Sequence, residues 1–362
     1  MLRIFLVDDE PPARARMRQL LADESDVLVI GEAADAIEAR EAIAASHPDV
    51  VFLDIEMPEV SGTALARSLP EPRPFIVFAT AFDGYAIDAF ALEATDYLVK
   101  PITRARLSTT LTRIRERLSR RSDLERELAA ASATQAALVP QSIPGMHGFD
   151  AAAVTLPARG VGGDFLVAQR LSDDRVVLAL GDVSGKGMPA GLVASSLQAR
   201  IESVALHSHG DPADIVREVN RTLCDSSEGG RFATLLYFDI DARAADIALV
   251  NAGHPAPVLS AVGAERRLFD STGPALGILP DATFRVHRFA MPEGATLFAY
   301  SDGVTEAFNA AGDEFGETRL LATLAAHADA SAATLCRLVI DDVRRHADGH
   351  AGDDITVLAL RR

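Results

Sequence analysis

Two sets of acidic residues have the types and spacing to do chemistry. Near the N-terminus, Asp8, Asp9 and Glu10 follow an apolar run at residues 4–7, and Asp54 follows another at 50–53. Thr80 closes a run at 75–79, and Lys100 with Pro101 closes one at 97–99. Carboxylates gathered at one place repel unless a cation neutralises them, and hard oxygen donors favour Mg²⁺. The second set is spread more widely: Asp164 in V-G-G-D-F, Asp182 in L-G-D-V-S-G-K-G, Asp302 in Y-S-D-G-V, and Asp353 with Asp354 in G-D-D-I-T-V. No histidine or cysteine takes part in that pattern, which suits Mg²⁺ or Mn²⁺ rather than structural zinc. Glycine beside an aspartate lets backbone carbonyls and water come close to a metal. Several carboxylates without a protein nucleophile point to metal-activated water. Two ions about 3.5–4 Å apart could serve an in-line phosphoryl displacement. The glycine-rich G-D-V-S-G-K-G lacks the spacing of a phosphate-binding NTPase loop, so that reading is rejected.

The chain holds 35 basic residues, and all but Lys100 and Lys186 are arginine. Arginine does not replace lysine where a compact ammonium must reach a small anion, which makes both lysines candidate site residues.

The elements that must position these groups differ between the two halves. In the first, short β-like runs alternate with helical patterns, giving five strands of a doubly wound parallel α/β sheet. The carboxyl ends of such strands share one edge, so Asp8, Asp9, Asp54, Thr80 and Lys100 converge there. In the second half, strand runs at 152–156, 176–180, 234–240, 247–251, 284–289, 296–299 and 355–360 are segregated from helical stretches at 189–206, 212–224 and 332–345. That grouping predicts α+β layers.

Between them, residues 103–141 read as one long helix. Leu107, Leu111, Ile114 and Leu118 recur at alternating four- and three-residue steps, as a coiled-coil seam requires. Leu124, Leu128, Ala131, Gln135 and Leu138 continue a stripe displaced by one position, a phase break in the rod. The arginines and acids off the seam read as a solvated face. Pro140 and Pro144 end the helix. The chain is thus multidomain: residues 1–102, a coiled-coil linker at 103–141, and residues 142–362. The linker stripe predicts a homodimer.

A chain of 362 residues with formal charge -17 exceeds one core and repels phosphate backbones and anionic lipid, so nucleic acid and membrane are excluded as general partners. No apolar run approaches the roughly 20 residues that span a bilayer. The apolar start at residues 1–7 is too short for a signal peptide. Two cysteines, Cys224 and Cys336, are too few for a disulfide framework, and a cytoplasmic location is expected.

V-D-D-E-P at 7–11, D-I-E-M-P-E-V-S-G at 54–62 and D-Y-L-V-K-P at 96–101 resemble a response-regulator receiver domain. The stretch at 78–90 most resembles receivers that precede LytTR-type DNA-binding domains. The resemblance implies that Asp54 accepts a phosphoryl group from a sensor histidine kinase. It also implies that Asp8, Asp9, Asp54 and the carbonyl of Glu56 hold Mg²⁺. Thr80 and Lys100 would contact the phosphoryl oxygens, and Tyr97 would switch rotamer.

The second half resembles the SpoIIE-type branch of the PPM metal-dependent serine/threonine phosphatases, through its acidic motifs, L-V-P-Q-S-I-P at 138–144, N-A-G-H-P-A-P at 251–257 and G-P-A-L-G-I at 273–278. The implied fold is two packed antiparallel sheets flanked by helices. Carried over by position, Asp182 bridges two Mn²⁺ or Mg²⁺ ions and the Val183 carbonyl ligates. Asp302 and Asp353 complete one shell, and Asp164 holds the second ion. The family substrate is a phosphorylated anti-sigma-factor antagonist of STAS fold. Leu166 and Val167 depart from the family's G-G-D-F-Y-D opening, Gly160 stands where glutamate is common, and Ser184 leaves the general acid unassigned. Lys186 has two readings, contact with substrate phosphate or anchoring of its loop. His254 also has two, a ligand for a third metal or a polar turn residue. The leading expectation is a phosphatase controlled by phosphorylation of Asp54. The alternatives are a non-catalytic adaptor that binds an anti-sigma or sigma factor, and a DNA-binding regulator, which the acidic charge opposes.

Overall fold

The computed structural model describes residues 1–70, 72–81, 94–158, 160–208, 210–226, 230–261, 267–349 and 352–362. The chain divides into two compact units, Met1–Glu125 and Arg126–Arg362. Among the described residues no helix is long and apolar enough to cross a membrane.

The first unit contains strands β1 (Leu2–Val7), β2 (Val27–Ala33), β3 (Val50–Leu53), β4 (Phe75–Thr80) and β5 (Asp96–Val99), in the order β2-β1-β3-β4-β5 with every pair parallel. Helices α1 (Pro11–Leu21), α2 (Ala36–Ser46) and α3 (Gly62–Ser68) cover it. Central β3 is buried on both faces, which is why V-V-F-L shows no alternation. The Asp35 carboxylate starts α2 by accepting from the amides of Ile37 and Glu38, both at 2.9 Å. Residues 82–90 of the LytTR-like stretch lie outside the described residues.

Helix α4 (Arg104–Leu138) is the long helix, and it corrects the expectation that its first stripe is a coiled-coil seam. Leu107, Leu111 and Ile114 are buried in the first unit's own core with Ile4, Leu6, Phe52, Val77 and Leu98, so they are not available to a second copy. A packed face and a coiled-coil seam share the same spacing, and the parallel sheet claims this one. Leu124 and Leu128, past the phase break, are exposed. The off-stripe arginines are not merely a solvated face either. Arg115 pairs with Asp26 and with Glu24 at 3.0 Å, and Arg106 donates to Asp96 at 2.7 Å. The Arg115 pairing holds the Asp26 carboxyl below its ordinary value.

The second unit is a four-layer sandwich. One antiparallel sheet has the order β13-β10-β9-β8-β7 and the other β12-β11-β14-β15-β6. The first comprises β7 (Asp164–Arg170), β8 (Arg175–Val183), β9 (Ala233–Asp241), β10 (Asp246–Ala252) and β13 (His287–Ala290). The second comprises β6 (Asp150–Leu156), β11 (Val258–Ser260), β12 (Arg267–Leu268), β14 (Thr296–Tyr300) and β15 (Ile355–Arg361). Alternation along β8 sorts the layers. Val176, Leu178 and Leu180 face the other sheet's Leu297, Ala299, Leu358 and Leu360. Val177 and Ala179 face α5 (Met188–His207) and α6 (Pro212–Ser226). On the opposite side, Phe298, Tyr300 and Val357 pack on α8 (Gly316–Ala326) and α9 (Ala332–His346). Short α7 (Asp302–Thr305) follows β14 directly. The elements of this unit depart from the sequence reading in several places. The strand expected at 284–289 begins only at His287, because Phe284 plugs the helix-facing core. Strands β7, β11 and β12 and helices α7 and α8 were not anticipated.

Candidate active site

In the first unit the parallel sheet delivers its acids as topology requires. Asp8, Asp9 and Asp54 can each offer an oxygen such that all lie within 4.8 Å of one another, a trio able to hold a divalent cation. The Lys100 ammonium lies 2.7 Å from Asp8 Oδ2 and 2.6 Å from Asp54 Oδ2. Burial raises the Asp54 carboxyl above its ordinary value, with Asp8 adding repulsion and Lys100 opposing both. Burial works against the Lys100 ammonium, but its two carboxylate partners outweigh this and raise its pKa. Glu56 donates its amide to Asp54 Oδ1 at 3.3 Å. Thr80, fully buried at the end of β4, pairs in register with Val99, and its carbonyl accepts from the Lys100 amide at 2.8 Å. Tyr97 is half-buried on β5, beside Asp96, whose carboxylate is bound by Arg106 and Thr110.

The second unit gathers acids from both of its sheets. Asp164 and Asp182 are register partners at the end of the β7–β8 pair. Asp302 follows β14, and Asp353 with Asp354 precedes β15, strands that pair through Tyr300 and Val357. These carboxylates repel. Burial, then Asp302, Asp353 and Asp354, push Asp182 up to about 7. Burial and Asp353 raise Asp302. Burial raises Asp164 well above the carboxylate range, with Asp182 and Asp354 adding repulsion. Among the described residues no three of them meet the tight spacing of the first unit's trio.

Does this set fit a divalent cation? One Asp164 oxygen is buried without a hydrogen-bond partner among the described residues, while the other accepts from Ser301 Oγ at 2.8 Å. Gly163 makes a cradle: a Cβ there would lie 2.7 Å from the Val183 carbonyl oxygen and 2.9 Å from Asp182 Oδ1, two of the atoms expected as ligands. Glycine at 163 keeps that approach open. An all-oxygen donor set with excess negative charge fits Mg²⁺ or Mn²⁺.

Each lysine of the chain sits on acids of its own unit, Lys100 on Asp8 and Asp54 and Lys186 on Asp353. Lys186 reaches Asp353 Oδ2 at 2.7 Å and the Gly352 carbonyl at 3.1 Å, the geometry of a loop anchor. His254 is buried with both ring nitrogens engaged. Nε2 donates to the Tyr300 carbonyl at 3.0 Å and Nδ1 accepts from the Thr234 hydroxyl at 2.7 Å. Burial pushes its pKa down to about 3. With both ring nitrogens hydrogen-bonded it offers no free lone pair to a third metal, which corrects that reading. Leu166 and Val167 fill opposite cores of β7, which explains why no acid stands there. Ser184 extends the β8–β9 pairing, exchanging bonds with Phe232 at 2.9 and 3.0 Å.

Two residues around the site carried no assigned role in the sequence. Asp354 accepts from the amides of Ala158 at 2.8 Å and Gly163 at 2.7 Å, pinning the loop that leads into Asp164. Ser301 links Asp164 to the Thr356 amide at 2.9 Å. Their neighbours in Y-S-D-G and G-D-D were the available signal.

Comparison with known proteins bears on both units. A sequence model of Stage II sporulation protein E (SpoIIE) matches residues 172–362, and one of the response regulator receiver domain matches 4–112. The transcriptional regulatory protein BtsR of Escherichia coli (strain K12) is 50% identical over 121 residues, 33% of this chain and 51% of BtsR. An uncharacterized response regulatory protein of Vibrio cholerae is 48% identical over 115 residues, 32% of this chain and 48% of that one. The chain spans about half the length of these curated relatives. Among solved structures, the SiaA-PP2C domain of Pseudomonas aeruginosa shares the fold at TM-score 0.60 and 22% identity, covering 67% of this chain and 98% of that one. The RsbU and RsbW domains of a Mycobacterium tuberculosis protein align at TM-score 0.53 and 29% identity, covering 62% of this chain and 63% of that one.

Proposed function

Since the chain belongs to the SpoIIE family and carries a response regulator receiver domain ahead of it, we propose that it is a phosphoprotein phosphatase governed by phosphorylation of Asp54. The observation that carries this reading is the convergence of Asp164, Asp182, Asp302 and Asp353 on one edge of the sandwich, with Asp182 pushed up to about 7 by burial and like charge. A group of acids under that repulsion gains most when cations bind among them.

In this reading Asp164, Asp182, the Val183 carbonyl, Asp302 and Asp353 would hold the divalent cations. When bound, such ions supply Lewis acidity to phosphomonoester hydrolysis. Gly163 keeps the approach to Val183 and Asp182 free, Asp354 fixes the Gly163 backbone, and Lys186 orients Asp353. In the receiver, Asp8, Asp9, Asp54 and the Glu56 carbonyl hold Mg²⁺. Lys100 and Thr80 take the phosphoryl oxygens, and Tyr97 follows the switch. A sensor histidine kinase supplies the phosphoryl group in the cytoplasm. The substrate is a phosphoserine or phosphothreonine protein, an anti-sigma-factor antagonist of STAS fold. A homodimer would use the exposed Leu124 and Leu128 rather than the buried stripe before them.

The test is hydrolysis of a phosphoserine STAS protein with Mn²⁺. Turnover abolished by chelator and by Asp182→Ala supports the reading, and turnover surviving both overturns it. Labelling by acetyl phosphate that is absent from Asp54→Asn tests the receiver assignment separately.

A further inference from the structure

The C-terminal part of α4 reaches the backbone that leads into the candidate active site through two side chains, Gln135 and Ser132. Gln135 forms a paired hydrogen bond with the backbone of a single residue: Nε2 donates to the Gly162 carbonyl at 2.8 Å, and Oε1 accepts from the Gly162 amide at 3.0 Å. One turn earlier, Ser132 Oγ donates to the Gly160 carbonyl at 2.8 Å. From the opposite side, Asp354 accepts from Ala158 and Gly163. The backbone at Ala158 and at 160–163 is thus held between a helix and a carboxylate. A Cβ at Gly162 would lie 2.3 Å from Asp354 Oδ2, so the segment has no slack on that side.

What the clamp positions is the candidate metal site. Gly163 follows directly, its carbonyl accepting from the Val183 amide at 3.2 Å, and Asp164 comes next. The end of α4 is itself tied down, because Gln198 of α5 donates to the Leu138 carbonyl at 2.7 Å. An amide-to-peptide pair needs two donor–acceptor distances near 2.9 Å at once, so it breaks if the helix turns by a residue or slides by one 1.5 Å rise.

We propose that Gln135 is a positioning residue of the active site, with α4 acting as one jaw of a clamp that sets Gly163, Val183 and Asp164 for cation binding. The register of α4 then controls the affinity of the site for its cations, a role that rests on the phosphatase reading above. Outer-shell partners of this kind change metal affinity about 10–100-fold when lost.

The test uses the full chain with Gln135→Met, which keeps the shape but removes both bonds, and Ser132→Ala, which also favours the helix. Thr134→Ala is the control, since among the described residues Thr134 Oγ1 bonds only its own helix, at Ala130. Two readouts are taken: amide hydrogen exchange of metal-free protein across residues 160–164, and the Mn²⁺ half-saturation of p-nitrophenyl phosphate hydrolysis beside its KM. Gln135→Met is expected to speed exchange there and to raise the half-saturating Mn²⁺ about tenfold with KM at saturating Mn²⁺ unchanged. Ser132→Ala should do the same more weakly, and it carries the test if Gln135→Met does not fold. Both variants matching Thr134→Ala in exchange and in Mn²⁺ dependence would overturn the proposal. A wild type with no hydrolysis at any Mn²⁺ would instead sink the phosphatase reading, leaving hydrogen exchange to decide the clamp.

Discussion

The two acidic sites of this chain solve the same electrostatic problem differently. In the receiver, Asp8, Asp9 and Asp54 crowd within 4.8 Å, and Lys100 lies between two of them. Most of the repulsion is met by an ammonium belonging to the chain. In the second unit the acids come from two sheets, Lys186 bonds only Asp353 among them, and Asp182 is left near a pKa of about 7 with one Asp164 oxygen buried and unbonded. The lesson is that a tight cluster of carboxylates is not the measure of cation demand. Uncompensated charge is, and by that measure the looser site has the greater demand.

The largest effect that would break this comparison is catalytic. Asp182→Ala should lower Mn²⁺-dependent hydrolysis of p-nitrophenyl phosphate by about 10²–10³-fold, as loss of a central electrostatic group does. Asp54→Asn should keep basal hydrolysis while losing the acetyl phosphate label. Equal loss of turnover in both would mean that the sites are not separable.

Next is the division of α4 itself. Leu111→Ala, in the receiver core, is expected to cost about 2–5 kcal/mol in urea unfolding. Leu128→Ala, on the exposed stripe, should stay within about 0.5 kcal/mol at concentrations where the chain is monomeric. Similar costs would refute the assignment of the first stripe to the chain's own sheet.

Gly163→Ala sharpens the account of the cradle. Its Cβ meets Val183 O and Asp182 Oδ1, so it should cost about 1–3 kcal/mol and weaken Mn²⁺ binding seen by calorimetry. Gly145→Ala, which meets nothing within 4 Å, is the matched control and should change neither.

The smallest effect concerns His254. Its pKa is lowered from 6.5 to about 3 in the folded chain, so the unfolded state takes up a proton that the native state refuses. Its stabilisation is present above pH 6.5 and is lost as pH falls below that value. Relative to His254→Gln, wild-type stability should decline by about 1.4 kcal/mol per pH unit between pH 6 and 5. A difference that does not change with pH would show that the ring is protonated in place.

Much of the receiver was legible because a parallel sheet converts sequence position into location: an acid after a strand sits on one shared edge. The sandwich was less legible for a similar reason inverted. Strand β7 is buried on both faces over Asp164 to Val167, so it shows no alternation, and its role emerges only with both sheets in place. The spacing of Leu107, Leu111 and Ile114 specified a packed stripe but not which surface would pack on it. Gln135 was read as one more position of the continuing stripe, whereas its amide grips the Gly162 peptide. A side chain whose value lies in a backbone contact 27 residues away leaves no periodic trace.

Anomalous scattering from crystals soaked in Mn²⁺ tests the comparison most directly. The account predicts manganese bound by Asp182, the Val183 carbonyl, Asp302 and Asp353, whatever the occupancy at Asp8, Asp9 and Asp54. Manganese at the receiver trio, with no peak beside a fully ordered Asp182 at saturating Mn²⁺, would contradict it.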